Sequence, residues 1–180
     1  TLSSDSMRTF LFCGNENGDE FSEADVVKAF THAELDEQIY MAPPEGYAPR
    51  DGKVCLLRKG VEGLKQGANG FMKLNATVMD SLGLKRSMLD PNVFTLTKDG
   101  TSLRVGVYVD NLQIVHSAQL DDSGRGPDGC AYNALMDAFA ARWDVTDEGP
   151  MEDLLGIEVD YNDDASITLH QRKYIEKIAA

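Results

Sequence analysis

The chain has 180 residues, enough for one domain with a real core, and its 42% hydrophobic and 26% charged composition is ordinary for a globular protein. No apolar run approaches the ~20 residues needed to cross a bilayer and the N-terminus is not a signal peptide, so no membrane partner is expected. The net charge of −13 argues at first sight against nucleic acid, whose phosphates need cations.

The distribution of charge softens that exclusion. From Arg50 to Arg86 eight basic residues (Arg50, Lys53, Arg58, Lys59, Lys65, Lys73, Lys85, Arg86) stand against three acids, a local balance of +5. The remainder carries nine basic and twenty-seven acidic residues. A basic block in an acidic protein is either a solvated face or a place for phosphates. Cys13, Cys55 and Cys130 lie far apart without metal-ligand spacing and read as reduced thiols of an intracellular protein. His32, His116 and His170 are as scattered, which argues against a zinc site. The start at Thr1 suggests part of something longer.

In chain order, Ser3-Ser4-Asp5 offers a helix cap before Met7, Phe10 and Leu11, whose spacing makes one apolar stripe. The glycine-rich stretch 14–18 ends that helix. Residues 20–24 are a weak strand candidate leading to Asp25, and 25–30 run into a turn or helical start, with Asp25 suited to an N-cap. Residues 35–41 and 54–57 read as short strands, with Asp51-Gly52 a plausible turn before the second. Phe71, Leu74, Val78, Met79 and Leu82 share a helical face that Gly83 terminates. Residues 93–97 and 103–108 form a hairpin through Lys98-Asp99-Gly100. Residues 120–130 are an acidic, glycine-rich loop. Tyr132, Leu135, Met136, Phe139 and Trp143 predict another helix. Residues 154–161 and 165–170 read as a strand pair, and 174–180 as a helix. The pattern is α+β: an antiparallel sheet with helices packed on one face.

The stretch 106–116 is the most informative. Two apolar runs fold back on each other, with Asp110-Asn111 expected at the bend because both tolerate positive φ. Alternation sends Val105, Val107 and Val109 one way and Gly106, Tyr108 and Asp110 the other. The hairpin then presents an acid beside a tyrosine at its exposed tip.

Seven blocks in order resemble the reverse transcriptase of copia-type long-terminal-repeat retrotransposons, over nearly the whole chain. They are Asp25-Val26-Val27-Lys28-Ala29-Phe30; Glu37-Gln38-Ile39-Tyr40-Met41 with Pro43-Pro44-Glu45-Gly46-Tyr47; Gly63-Leu64-Lys65-Gln66; Leu84-Lys85-Arg86-Ser87 with Asp90-Pro91; Tyr108-Val109-Asp110-Asn111, where the family has Y-V-D-D; Leu155-Gly156-Ile157-Glu158; and Gln171-Arg172-Lys173-Tyr174-Ile175. The resemblance implies a polymerase palm with partial fingers: palm over 1–30 and 91–170, fingers-like segments and a palm helix over 31–90, and the start of a connection to a thumb over 171–180.

It also implies RNA-directed DNA polymerase chemistry, in which two Mg²⁺ ions, or Mn²⁺ in their place, assist attack of a primer 3′-hydroxyl on an α-phosphate. Such ions need converging hard oxygen ligands. The resemblance assigns metal binding to Asp25 and Asp110, with Asn111 as the third catalytic position. Phe30, Lys65, Gln66 and Tyr108 would meet the incoming deoxynucleoside triphosphate. Arg58, Lys59, Leu155 and Gly156 would hold template and primer. Partners would be an RNA or DNA template with its primer and the other Pol segments: fingers strands, thumb and ribonuclease H.

Departures concentrate at functional positions. Asn111 replaces a carboxylate, Glu62 a tyrosine, and Thr146 a lysine near the pyrophosphate; the segment 67–71 lacks the family's arginine. Apolar positions such as Leu64, Val109 and Ile157 fit. The expectation is a diverged or impaired polymerase domain, or else an inactive remnant that binds nucleic acid at most.

Overall fold

The computed structural model describes residues 2–47, 52–98, 100–153 and 156–179. The notional turn at Asp51-Gly52, and Leu155, lie at or within the segments outside it.

Helix α1 spans Ser4–Asn17. Ser3 caps it through its side chain, which accepts from the Ser6 N–H, and Gly18 closes it at φ 68°. Gly14 stays inside the helix because it touches the sheet: a Cβ there would lie 2.7 Å from Phe21 and Val115 side chains. Strand β1 (Glu20–Val26) follows, then a 3-10 turn over Ala29–His32. Strands β2 (Glu34–Met41) and β3 (Cys55–Lys59) pair only with each other. Helix α2 (Lys65–Ser81) ends at Gly83, whose φ is 81°. Strands β4 (Lys85–Arg86), β5 (Val93–Lys98), β6 (Thr101–Tyr108) and β7 (Asn111–His116) run antiparallel in succession. Helix α3 (Ala131–Ala140), β8 (Val145–Pro150), the hairpin β9 (Glu158–Tyr161) and β10 (Ile167–His170), and α4 (Arg172–Ala179) complete the chain.

The six-stranded antiparallel sheet has the order β4-β5-β6-β7-β1-β8. Strand alternation divides its side chains between two faces. Ala24, Val26, Phe94, Val105, Val107, Leu112 and Ile114 face α2 and α3 and meet Phe71, Val78, Met79, Leu135 and Phe139 in the main core. Trp143, just past α3, ties those helices together, edge-on to Phe71 at 5.4 Å and to Phe139 at 5.1 Å between ring centres. On the other face, Phe21, Val93 and Val115 pack under Met7, Phe10 and Leu11 of α1. So α2 and α3 share one face, and α1 covers part of the opposite one. Met151 and Val159 join that second cluster, and the same face also carries the polar Glu23, Asp25, Asn111 and Gln113.

The fold is the expected α+β antiparallel sheet, with α2 and α3 packed on one face as expected and α1 on the other because Phe21, Val93 and Val115 give that face its own apolar patch. Two strands were not expected. β4 is only two residues long. β8, Val-Thr-Asp-Glu-Gly-Pro, is polar and mostly exposed, so it has no apolar alternation to read; it forms because β1 offers it a free edge. Asp25 is not a helix cap: it lies within β1, paired to Asn111 on one side and to Thr146 on the other.

Candidate functional site

The hairpin β6–β7 sets the site. Tyr108 pairs with Asn111, so the two-residue turn is Val109-Asp110, not Asp110-Asn111. The neighbour of Tyr108 across the strands is therefore Asn111. Val109 takes φ 61°, a conformation a β-branched side chain adopts only under strain, about 1–3 kcal/mol at such positions. Strained turn residues of this kind cluster at functional sites.

Strand β1, next to the edge strand β8, brings the other half. Asp25 lies directly opposite Asn111, and the Val26 N–H donates to the Asp110 carbonyl at 3.0 Å. That hydrogen bond fixes the turn against the end of β1, so Asp25, Asp110 and Asn111 meet at one edge of the polar face. Burial first, then the charges of Asp110 and Glu148, push the Asp25 carboxyl above its ordinary range. Glu23, on the same face as Asp25, accepts a hydrogen bond from Asn111 Nδ2. Burial raises the Glu23 carboxyl too; the Asn111 bond opposes that, and Asp153, Glu148 and Asp25 add to the rise.

Glu23 and Glu148 were not singled out in the sequence. Glu148 stands beside the site because β8 bulges there: Glu23 pairs with Gly149 and Ala24 with Asp147, leaving Glu148 unpaired between them. Glu23 could have been found from its i, i+2 spacing to Asp25 once 20–26 was read as a strand.

The other expected site residues fall on separate elements. Tyr108 is half-buried beside Asn111. Phe30 is half-buried in the 3-10 turn and packs closely against Gly60 and Gly67: a Cβ on Gly60 would lie 2.5 Å from the Phe30 carbonyl oxygen, and one on Gly67 3.3 Å from the Phe30 Cβ. Lys65 opens α2 and is exposed, and Gln66 donates to Glu37 at 2.8 Å. Arg58 and Lys59 are exposed on β3. Gly156 is exposed at φ 80°, its N–H held by Asp153 at 2.8 Å. Leu155 lies outside the described residues. A cavity of about 480 Å³ between β2 and α2 is lined by Glu37, Gln66, Lys73 and Arg86 among others, and by none of Asp25, Asp110 and Asn111. The basic block is partly neutralised, since Lys73 pairs with Asp36 at 2.7 Å, while Arg86 lies over the Phe94 ring at 5.7 Å.

Among the described residues no group of three or more His, Cys, Asp or Glu side chains is arranged to hold a metal ion. The oxygen set at the hairpin is two carboxylates and one amide. The Asn111 Oδ1 is buried and has no hydrogen-bond partner among the described residues. An uncapped amide oxygen next to two carboxylates is a hard-ligand set, which fits a divalent cation such as Mg²⁺.

An antiparallel sheet backed by two helices, with acidic side chains gathered where a tight hairpin meets the neighbouring strand, is the architecture of a polymerase palm. The chain belongs to the reverse transcriptase (RNA-dependent DNA polymerase) family, whose model matches residues 2–180. It is 30% identical over 177 residues to the retrovirus-related Pol polyprotein from transposon TNT 1-94 of Nicotiana tabacum, covering 96% of this chain and 13% of that protein. It is 27% identical to the Pol polyproteins of transposons RE2 and RE1 of Arabidopsis thaliana, covering 96% and 99% of this chain and 11% and 12% of theirs. These relatives make it a copia-type reverse transcriptase region, and the chain spans about one-eighth of their length. No solved structure matches it significantly. Among the described residues no helix is long and apolar enough to cross a membrane.

Proposed function

We propose that this chain is the palm and part of the fingers of a copia-like element's RNA-directed DNA polymerase, working inside the cell with weakened metal binding. The observation that supports this best is the meeting of Asp25 with Asp110 and Asn111 across β1 and β7. Asp25 and Asp110 would hold divalent cations through carboxylate oxygens, and Asn111 through Oδ1. Bound there, Mg²⁺ or Mn²⁺ supplies a lowered pKa for the primer hydroxyl and neutralises charge on the triphosphate.

The chain's own residues do the rest. The strained Val109 turn holds Asp110 at a fixed place against Val26. Phe30, clamped by Gly60 and Gly67, supplies a rigid ring edge under the deoxyribose. Lys65 and Gln66, at the start of α2, address the triphosphate, with Tyr108 beside it. Arg58 and Lys59 bind template phosphates, and Leu155-Gly156 holds the primer end. Domain boundaries follow the same assignment, with 1–30 and 91–170 as palm and 31–90 as fingers and palm helix. The missing functions are left to other Pol segments: fingers strands, thumb and ribonuclease H.

A second reading follows from Asn111 itself. Losing one of three carboxylates removes a formal charge from a site that must hold two divalent ions, and an inactive nucleic-acid-binding remnant would carry the same substitution. Primer extension on a homopolymer RNA template, with Mg²⁺ and then Mn²⁺, separates the two. Extension that disappears in Asp25→Asn supports the polymerase. Folded protein that binds primer–template in a salt-dependent way but never extends it supports the remnant.

A further inference from the structure

The polar face of the sheet holds more than the three residues of the hairpin site. Alternation along β1 puts Glu23 on the face of Asp25, and the register sets Gln113 directly opposite Glu23 as Asn111 is opposite Asp25. Asp153, Glu148 and Asp25 lie near enough to act on the Glu23 carboxyl, and Asp110 and Glu148 on that of Asp25. None of them is in an ion pair among the described residues. On the same face two buried amide oxygens have no hydrogen-bond partner among the described residues: Asn111 Oδ1 and Gln113 Oε1, the latter on a side chain only 2% exposed. A buried carbonyl oxygen without a donor has lost its hydration with nothing in exchange. Oxygen ligands lacking both cations and donors are what a hard cation satisfies.

Asn111 Nδ2 donates to Glu23, so Oδ1 is the free end of the amide among the described residues.

Building on the polymerase reading above, we propose that Glu23 is a positioning residue that turns Asn111 into a cation ligand. Its carboxylate locks the amide so that Oδ1 is presented, and its negative charge on β1 stands in for the one that β7 lacks at position 111. The site is thus a different distribution of the same charge over two adjacent strands, with ligand orientation supplied from the next shell out.

Mn²⁺ titration of the chain, followed by electron paramagnetic resonance of free Mn²⁺ and by calorimetry, tests this without turnover. Glu23→Gln and Asn111→Ala should each weaken Mn²⁺ affinity about tenfold or more, and the double variant should lose no more than either alone. Glu23→Asp, which keeps the acceptor, should stay within a few-fold of the parent and serves if Glu23→Gln does not fold. Asn111→Asp by itself should gain little, because it sets a second carboxylate against Glu23; adding Glu23→Gln to it should tighten binding. Unchanged affinity in folded Glu23→Gln, with binding still lost in Asp25→Asn, would overturn the role of Glu23 and leave the metal site standing. No Mn²⁺ binding by the parent chain would overturn both.

Discussion

Asp25 on β1 stands directly opposite Asn111 on β7, and the residue after it, Val26, donates its N–H to the carbonyl of Asp110 at 3.0 Å. One backbone hydrogen bond and one register therefore bring residues 84 and 86 positions apart to a common edge. The rigidity of that edge depends on its surroundings, and four consequences can be measured.

The turn stores strain. Val109 at φ 61° is β-branched where Asn or Gly is preferred. Val109→Asn is expected to stabilise the fold by about 1 kcal/mol, read as a higher urea midpoint at unchanged slope. If the midpoint falls instead, contacts of the valine methyls outweigh the strain.

Phe30 is held by glycines. A Cβ at Gly60 would meet the Phe30 carbonyl oxygen at 2.5 Å and the Gly67 Cα at 2.8 Å, both backbone atoms that cannot swing away. Gly60→Ala is expected to cost about 1–3 kcal/mol by chemical denaturation, as overpacking does. Because the 3-10 turn must shift, it should also reduce discrimination between deoxyribo- and ribonucleotides in any active form of the chain. An unchanged midpoint would show that the turn yields freely.

His116 sets a pH dependence. Its ring is 1% exposed, lies 4.2 Å from the Tyr132 ring centre, and is bonded to Ser22 Oγ and the Ala118 carbonyl, each at 3.0 Å. Burial pushes its pKa down, outweighing the Ala118 carbonyl and the Asp19 charge. Unfolded, the ring takes a proton near its ordinary value of about 6.5. The unfolded state then binds more protons, so stability is expected to fall as pH drops from about 7 to 5. In His116→Gln that part of the stability–pH curve should flatten.

Asp90 anchors α1. Burial alone would raise its carboxyl, but hydrogen bonds from the Ser3 and Asn92 N–H groups and the Ser6 hydroxyl prevail and hold it well below the usual carboxylate range. Its contribution is present above pH ~4 and is lost as pH falls toward the lowered value. Asp90→Ala is expected to cost about 1–3 kcal/mol at neutral pH and to shrink the acid limb of the curve, measured by thermal melts.

Much of this architecture is written in local pattern. The apolar stripes of α1, α2 and α3 and the runs of β5, β6 and β7 follow the periods of helix and strand, and Ser3, Gly18 and Gly83 mark ends as their backbone chemistry requires. The block order around Asp25, Phe30, Gln66 and Tyr108 was enough to indicate the family. Strand β8 was not legible, because an exposed polar segment becomes a strand only when a neighbour offers its free edge. The bend was misplaced by one residue, because Asp110-Asn111 is the better local turn while the pairing of Tyr108 with Asn111 forces Val109 into it.

The sequence by itself determined the kind of elements, their order and the identity of the acidic residues, since those depend on spacing and side-chain chemistry along one stretch of chain. Only the tertiary structure decided that Asp25 is a strand residue, that Glu148 reaches the site through a bulge, and that Glu23 accepts a hydrogen bond from Asn111. Those outcomes depend on strand register, which is set by the summed burial of a whole sheet face and overrides the preference of any single residue for its own conformation.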